Sequence, residues 1–486
     1  MTDTALLGRL DSAVGDGIEA VVSLKHRRRL RRLGWGHVYA DSDPGVFAAG
    51  DPPPRAGCEL EVLIDGANAL PEIARALSAA KRYVHLTGWH LEPSFELVRG
   101  RPHGAIGVLL AELAERIDVR VLVWSGAPVP VFHPTRAEVA ETLANLKRHT
   151  RIKAHGDPRE HPFHCHHEKT VMVDGEVAFV GGIDLTDSAG DRYDLQAHPA
   201  RRRTGWHDVA TRARGPVVAD VDAHFAMRWR ELTGERLPEC PVPAPAGETT
   251  VQVVRTVAEN MYRSLPRGEF RVLESYLRVL RSARELIYIE NQFLWDPEVV
   301  SILAGKLRDP PTDRFRIVVL LPARANNGAE DTRGQVGVLI DADAGGKRML
   351  AATIRSLAAS RDRADPLYVH AKVAVVDDHW LIVGSANLNA HSLYNDTEMC
   401  VVTDDAALAR NTRVRLWAEH LELDQAQVAA AQAASLVDEY WRPIANEQLE
   451  LRRAGARPTH RLLELPGASR RSARLLGPLA GLMDDG

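Results

Sequence analysis

The sequence predicts an α/β protein made of two fused, pseudo-symmetric domains, each a mixed β-sheet flanked by helices. The first observation is a repeated pattern: a His-x-Lys triplet, an Asp five residues after the Lys, and then a Gly-rich turn. One copy contains His167 and the other His370, and every paired position has the same offset of 203 residues (370 − 167). Self-similarity with only two copies indicates two related domains rather than a solenoid.

The second observation is that the similarity extends beyond the motifs. Residues 80–91 align at the same offset with residues 283–294, and both segments have the pattern of a helix end, a charged turn and an apolar strand. Apolar residues at three- and four-residue spacing before each segment predict helices with one buried face. These residues are Ile73, Leu77 and Ala80 in the first half and Leu273, Leu277 and Leu280 in the second. Residues 119–124 and 315–320 have the composition of buried strands, so strands alternate with helices.

Length and composition suggest where the domains begin and end. A chain of 486 residues has room for two or three domains, and 45% hydrophobic with 26% charged residues is ordinary for a globular protein. We expect an N-terminal basic helical segment at 1–45, a first repeat at 46–235 and a second repeat at 249–425. Residues 236–248 hold four prolines and predict a stiff linker. Residues 426–486 are expected to form a C-terminal helical tail.

Charge, leader and cysteine content narrow the class of protein. A net charge of −4 gives no reason to expect a nucleic-acid partner. The first residues do not show the basic start and apolar run of a secretory signal, so we expect a cytoplasmic protein. No apolar run of about 18 residues is present, so we expect no membrane span. Four cysteines without CxxC spacing are typical of reduced thiols. Oligomeric state does not follow from the sequence.

The basic stretch Lys25 to Arg32 has two interpretations. Runs of charge usually form a solvated helix face. Here the surrounding Val and Leu residues and Trp35 also suit a peripheral contact with an anionic membrane surface. Both interpretations stay open at this point.

The repeated motif suits phosphoryl transfer. Imidazole is a nucleophile when neutral and an acid when charged, so one His can attack phosphorus while the other protonates the departing alcohol. Two Lys ammonium groups and the Asn387 amide can hold the non-bridging oxygens. In an extended strand, a His and a Lys two residues apart point to the same side. Because these groups supply positive charge themselves, we expect neither a metal nor a cofactor in the reaction.

A zinc site is the alternative for one part of the first motif. His161, His164, Cys165, His166 and His167 lie close together in the sequence, and imidazole and thiolate are good zinc ligands. The His-His-x-Lys pattern accounts for the same residues without a metal, and we therefore predict no metal site.

Together, the two motifs and their flanks resemble the phospholipase D superfamily, and its eukaryotic-type branch in particular, over residues 60–420. One His-x-Lys motif would be weak support, but two in register with matching flanks are strong. The matching flanks are His166-His167-Glu168-Lys169-Thr170, Gly181-Gly182-Ile183-Asp184-Leu185, Arg192-Tyr193-Asp194, Trp206-His207-Asp208-Val209, Ile287-Tyr288-Ile289-Glu290-Asn291-Gln292-Phe293 and Gly384-Ser385-Ala386-Asn387-Leu388-Asn389.

The resemblance implies a role for each histidine. His167 would be the nucleophile, and His370 the general acid that later acts as the base. Each would be oriented by an acidic residue of the opposite half, namely Glu398 for His167 and Asp208 for His370. Most acidic residues are solvated, so a surface position is the alternative for these two carboxylates.

Further motif residues receive roles in the same way. The phosphate-binding residues would be Lys169, Lys372 and Asn387. The motif residues Asp174 and Asp377 would be structural, bonding near a strand-turn junction. Two positions are unusual: Asp184 replaces the amide of the other motif, as in the eukaryotic-type branch, and His391 stands where that branch usually has Arg.

The function implied is that of a phosphodiesterase that hydrolyses or transfers the phosphatidyl group of glycerophospholipids through a phosphohistidine. The alternatives are a phosphatidyltransferase similar to cardiolipin or phosphatidylserine synthases, and a nuclease of the same superfamily. A catalytically silent lipid-binding protein is a further class, which the two intact motifs disfavour. The sequence does not select the head group or the acceptor.

Overall fold

A computed structural model of the chain describes residues 3–40, 45–101, 104–129, 132–161, 164–324, 329–358 and 364–467. Parts of the predicted terminal segments, residues 1–2, 41–44 and 468–486, lie outside the described residues.

The strands alternate with helices along both halves. The strands before the proline-rich segment are β1 (Arg55–Ile64), β2 (Tyr83–Gly88), β3 (Asp118–Trp124), β4 (Lys153–Asp157), β5 (Thr170–Val173), β6 (Val177–Gly181), β7 (Gly205–His207) and β8 (Val209–Arg214). Those after it are β9 (Thr249–Val257), β10 (Glu269–Phe270), β11 (Leu286–Glu290), β12 (Arg316–Leu320), β13 (Met349–Leu357), β14 (Ala364–Val369), β15 (Val373–Val376), β16 (Trp380–Gly384), β17 (Glu398–Thr403) and β18 (Leu462–Glu464).

The helices flank these strands. They are α1 (Asp3–Leu33), α2 (Gly66–Ser78), α3 (Ile106–Ala114), α4 (Arg136–Lys147), α5 (Val218–Thr233), α6 (Arg271–Ser282), α7 (Pro297–Arg308), α8 (Ala329–Asp343), α9 (Ala390–Tyr394), α10 (Ala406–Leu421), α11 (Gln425–Ala430), α12 (Ala433–Leu436) and α13 (Arg442–Arg453). A 3₁₀ turn at Gly36–Tyr39 and a π turn at Val437–Trp441 complete the regular structure of the described residues.

Two mixed sheets have the same strand order. The first runs β1-β8-β6-β5-β2-β3-β4 and the second β9-β17-β16-β15-β11-β12-β13. In each sheet the last two pairings are parallel and the others are antiparallel. Corresponding strands therefore occupy corresponding places, which confirms the predicted pair of pseudo-symmetric α/β domains.

The sequence periodicity explains how the helices attach to these sheets. Helix α2 buries Ile73 and Leu77, and helix α6 buries Leu273, Leu277 and Leu280, each at 4% exposure or less. These positions form one stripe on each helix, which packs on the apolar face of its own sheet. Helix α2 leads into β2, and helix α6 leads into β11.

The aspartate of each motif ties the turn before these strands to the motif hairpin. Asp174 accepts hydrogen bonds from the backbone amides of residues 81–83 at 2.7 to 2.9 Å. Asp377 accepts from the amides of residues 284–286 at 2.7 to 2.8 Å. Both residues have positive φ, 57° and 53°, a conformation that Asp tolerates better than most residues. The carboxylates thus satisfy three otherwise unpaired amides in each half, and the contacts repeat at the sequence offset of the motifs.

The two halves meet along strand edges. A short antiparallel contact joins β1 to β9, and a parallel one joins β7 to β14. The segment before the first motif also bridges to the second half, at His166 and Thr397. These contacts bring the amino ends of β5 and β15, and therefore both motifs, to one junction.

The terminal segments pack on the second half. Arg27 of α1 pairs with Glu298, and Arg29 pairs with Glu259 at 2.5 Å. The other basic side chains of the stretch, Lys25, Arg28, Arg31 and Arg32, are exposed. In the predicted helical tail, β18 joins the edge of the second sheet beside β13, because Leu462 and Leu463 are buried there. Among the described helices, none has the length and apolar character needed to cross a bilayer.

Candidate active site

The two His-x-Lys triplets lie in extended segments immediately before β5 and β15, not inside the strands. His167, Lys169, His370 and Lys372 are all at least 94% buried. Each triplet is anchored by the opposite half. The amide of His167 donates to the carbonyl of Thr397 at 2.9 Å, and the amide of His370 donates to the carbonyl of His207 at 2.8 Å.

The imidazole of His370, in the second half, contacts the carboxylate of Asp208 in the first half. His370 Nδ1 lies 2.6 Å from Asp208 Oδ2. Asp208 also accepts a hydrogen bond from the amide of Val209 at 2.8 Å, and it is 1% exposed, so it is not a surface acid. The indole ring of Trp206 packs against the His370 ring with centroids 4.5 Å apart.

The first-half imidazole has the reciprocal arrangement. His167 Nδ1 lies 3.1 and 3.2 Å from the two carboxylate oxygens of Glu398 and 3.1 Å from the Ser385 carbonyl. Glu398 is fully buried and also accepts hydrogen bonds from the hydroxyls of Ser385 and Ser392. Because both imidazoles engage carboxylates through Nδ1, Nε2 of each ring is the nitrogen left to meet a substrate.

The lysine of each motif contacts the backbone of its own motif histidine. Lys169 Nζ donates to the carbonyl of His167 at 2.7 Å and lies 3.3 Å from Asp184 Oδ2. Lys372 Nζ donates to the carbonyl of His370 at 2.5 Å and to Gln292 Oε1 at 3.2 Å.

Asn387 and Asp184 occupy equivalent places beside the two lysines. The amide nitrogen of Asn387 lies 3.4 Å from the same Gln292 oxygen that Lys372 contacts. Gln292 is thus a site residue that sequence reasoning did not select, although it lies inside one of the matching flanks. Its position two residues after the end of β11 is the feature of the sequence that could have identified it.

Burial and like charges shift the proton equilibria of the site. Burial, followed by the charges of Lys372 and Arg192, lowers the pKa of His370 well below its ordinary value. Burial also lowers the pKa of Lys372 to about 7 and raises that of Asp208 to about 6. A bound anion would therefore favour the protonated forms of His370 and Lys372.

Comparison with known proteins agrees with this geometry. The family model described as "Phospholipase D" matches residues 76–204, and that described as "Cardiolipin synthase, PLD-like domain" matches residues 276–419. Each match contains one of the two motifs. The chain belongs to the phospholipase D superfamily.

Relatives within the phospholipase D superfamily are distant. The chain is 24% identical over 465 residues to "Phospholipase D A" of Dictyostelium discoideum, covering 76% of this chain and 36% of that protein. It is 24% identical over 501 residues to "Phospholipase D alpha 4" of Arabidopsis thaliana, covering 74% of this chain and 64% of that protein. The chain thus spans between about a third and two thirds of the length of these relatives, which favour the eukaryotic-type branch.

A solved structure shows the same phospholipase D fold. The crystal structure of phosphatidylserine synthase from Haemophilus influenzae Rd KW20 superposes with a TM-score of 0.51 at 13% identity, covering 83% of this chain and 95% of that one. At this identity the likeness concerns the fold alone.

Arg192 is a second residue of the site that sequence reasoning left without a role. It is 3% exposed, and its guanidinium carbon lies 3.2 Å from the centroid of the Trp206 ring. Within the described part of the chain, its Nε and Nη1 atoms are buried without a hydrogen-bond partner. Burial lowers the pKa of Arg192 to about 10, so it remains a cation at neutral pH.

A buried network of charged groups surrounds His207, the residue that precedes Asp208. His207, the residue before it, lies 2.8 Å from Asp65 through Nδ1 and 2.8 Å from Glu290 through Nε2. Burial opposes protonation of His207, but the two carboxylates outweigh it and raise the pKa of this imidazole well above its ordinary value. Because Glu290 belongs to the second half and Asp65 to the first, the charged imidazole joins the halves directly under the active site.

The histidine run considered as a zinc site is not gathered at one point. His161 Nε2 contacts the carbonyl of Glu259, and His166 Nδ1 contacts the hydroxyl of Thr397. His167 is held by Glu398 as described above. Among the residues that the structure describes, His164 is the one member of this run that lies in a group with metal-ligand spacing, and its partners come from the second half.

Proposed function

We propose that this phospholipase D superfamily protein is a phosphodiesterase that hydrolyses or transfers the phosphatidyl group of glycerophospholipids through a phosphohistidine. The observation that carries the proposal is the reciprocal pairing of His167 with Glu398 and of His370 with Asp208, beside two buried lysines. This arrangement offers two imidazole Nε2 atoms and several cationic donors to one phosphodiester.

In the first step, Nε2 of His167 attacks phosphorus and the bond from phosphorus to the leaving alcohol oxygen breaks. His370 donates its Nε2 proton to that oxygen, so the alcohol leaves neutral. Lys169, Lys372 and the Asn387 amide hold the non-bridging oxygens, where negative charge must be stabilised. Burial and, after it, the neighbouring cations depress the pKa of His370; the negative phosphate offsets the cations, so binding itself helps to protonate this residue.

In the second step, neutral His370 removes a proton from water or from an acceptor alcohol. The resulting oxygen nucleophile attacks phosphorus and the bond between phosphorus and His167 nitrogen breaks. Water yields phosphatidic acid, and an alcohol yields a new phosphodiester. Asp174 and Asp377 act in neither step, because three backbone amides occupy each of these carboxylates.

A cavity of about 730 Å³ adjoins this site and suits an alcohol head group. Arg192 and Trp206 line it next to His370, and Trp89 and Phe132 supply further aromatic surface. Glu92, Glu138 and Glu141 also line it, so acidic residues outnumber the one arginine, Arg192. Aromatic rings together with carboxylates favour a positively charged head group, and we therefore expect phosphatidylcholine to be a better substrate than phosphatidylglycerol.

One assay tests the proposal. Phosphatidylcholine, phosphatidylglycerol and single-stranded DNA are incubated side by side with the protein, with and without ethanol, using His370→Asn as the inactive control. We expect phosphatidic acid from the lipid and phosphatidylethanol when ethanol is present. Cleavage of DNA without turnover of either lipid would identify a nuclease, and absence of any product would indicate a binding protein.

The roles of the two histidines are tested by trapping the intermediate. After rapid quenching without acid, we expect the labelled phosphopeptide to contain His167, and His167→Ala to abolish labelling. His370→Ala should still label slowly with a substrate that has a good leaving group. A labelled peptide that contains His370 in place of His167 would reverse the assignment.

A further inference from the structure

A cluster of two imidazoles and one carboxylate lies outside the residues used for phosphoryl transfer. His164 comes from the first half, and His391 and Asp396 come from the second. The Nδ1 atoms of the two histidines are 3.0 Å apart, and His164 Nδ1 lies 3.3 Å from Asp396 Oδ1. One ligand atom of each residue lies within 4.8 Å of the others.

Backbone contacts fix the cluster in place. The amide of Cys165, next to His164, donates to Asp396 Oδ1 at 3.0 Å. The amide of Asp396 donates to the carbonyl of His391 at 2.9 Å, and the amide of Thr397 donates to the carbonyl of Cys165 at 3.1 Å. These contacts hold Asp396 Oδ1 and fix the backbone from which the cluster residues project.

Two features favour a cation over a simple hydrogen-bond cluster. The second oxygen of Asp396, Oδ2, is buried and has no hydrogen-bond partner in the described part of the chain, although this side chain is 1% exposed. A buried carboxylate oxygen without a donor is unfavourable, and a cation would satisfy it. The side chain of His164 is 12% exposed, so solvent has a route to the cluster.

The donor set selects the class of ion. Tetrahedral sites with nitrogen and oxygen ligands at about 2.0 to 2.2 Å place neighbouring ligand atoms about 3.3 to 3.6 Å apart. The separations of 3.0 and 3.3 Å are close to this geometry. Two imidazoles favour zinc-class transition metals, whereas calcium and magnesium prefer all-oxygen ligands.

We propose that His164, His391 and Asp396 bind one divalent zinc-class ion, with water as the fourth ligand, and that this ion fastens the two halves together. The position explains the effect: His164 is three residues before His167, and Asp396 is two residues before Glu398. The site depends on His391, which stands where the eukaryotic-type branch usually has Arg, a side chain that does not bind metals. It is thus a property of this chain, independent of the proposed reaction.

Metal binding to untagged full-length protein tests the proposal without an activity assay. After dialysis against EDTA and removal of the chelator, Co²⁺ or Zn²⁺ is added. We expect one equivalent of bound metal by elemental analysis, visible absorption bands of tetrahedral Co²⁺, and a higher thermal midpoint. His391→Gln, His164→Gln and Asp396→Asn should each lose the Co²⁺ bands and the thermal shift.

Two control variants make the result decisive. His379→Gln removes an exposed histidine elsewhere on the second half and should bind as wild type does. His198→Gln alters another buried group with metal-ligand spacing and should leave the Co²⁺ bands intact. Circular dichroism of the metal-free variants establishes that they fold. Absence of stoichiometric binding to wild type, or unchanged bands in a folded His164→Gln/His391→Gln variant, would overturn the proposal.

Discussion

A second buried imidazole, that of His198, lies beside His207 with ring centroids 5.4 Å apart and should make stability depend on pH in a defined direction. His198 is fully buried, with Nδ1 2.7 Å from Asp194 and Nε2 3.0 Å from Glu419. Burial alone would lower the pKa of His198, but the contacts with Asp194 and Glu419 raise it to about 9. Since the pKa is higher in the folded state than in the unfolded one, the stabilisation is fully present below about pH 6.5 and is lost as the pH rises through about 9.

The size of the effect follows from the shift. A change from 6.5 to about 9 corresponds to about 3 kcal/mol, at about 1.4 kcal/mol for each pKa unit. The entropy of unfolding, at about 2.1 cal/mol/K per residue, is about 1 kcal/mol/K for this chain. The loss should therefore lower the thermal midpoint by about 3 °C.

The measurement compares wild type with His198→Gln between pH 6 and pH 10. A comparison is needed because Lys372 acts in the opposite direction: its pKa is lowered to about 7 by burial, so its contribution to stability rises with pH above that value. The difference between the two thermal midpoints cancels this contribution and should shrink by about 3 °C across the window. His379→Gln, at an exposed position, should show no such trend. A constant difference from pH 6 to pH 10 would refute a charged His198.

Three further predictions concern the active site. Asp208→Asn and Glu398→Gln should each lower turnover by about 10² to 10⁴, as expected when the carboxylate that orients a catalytic imidazole is removed; wild-type rates in both would show that the reciprocal pairing is not used. Fragments 1–240 and 241–486 should each be inactive and recover activity when co-expressed, because each holds one imidazole and one lysine of the set; turnover by a monomeric fragment would contradict a shared site. Arg192→Gln should lower kcat/KM by about 10² while Arg28→Gln, at an exposed position, leaves it unchanged, and equal activity of both variants would remove Arg192 from the site.

The sequence predicted the features that are repeated at a constant offset. The strand orders of the two sheets coincide because each half has the same alternation of apolar strands and amphipathic helices. Short elements without periodicity were not predictable, as β18 shows. Its three residues, Leu462 to Glu464, carry no strand pattern, and only the open edge of β13 explains their conformation.

Contacts between residues that are distant in the sequence could also not be predicted from it. Nothing in the order of residues indicates that His207 lies between Asp65 and Glu290, since these residues are separated by more than 80 positions on each side. Arg192 lies in one of the matching flanks, but its burial against Trp206 follows only from the fold.

The orienting carboxylates do not follow the constant offset of the two motifs, because the segment before the first one is longer. Asp208 lies 24 residues after Asp184, whereas Glu398 lies only 11 residues after Asn387 (208 − 184 and 398 − 387). The longer first-half segment contains Arg192 and the buried His198. The first half therefore supplies a guanidinium here, whereas the corresponding segment of the second half, residues 388–397, contains no arginine.

This asymmetry supports different roles for the two imidazoles. Glu398 already accepts two hydroxyl hydrogen bonds in addition to His167, so its negative charge is shared among several donors. Asp208 has one backbone amide and His370, and its pKa is raised to about 6 by burial. Burial and the neighbouring cations keep the pKa of His370 low until an anion binds, which suits a residue that must gain and lose a proton in each cycle. A well-satisfied carboxylate that mainly orients its imidazole suits a nucleophile. The local chemistry thus supports His370 as the proton carrier and His167 as the attacking group, on grounds separate from the family resemblance.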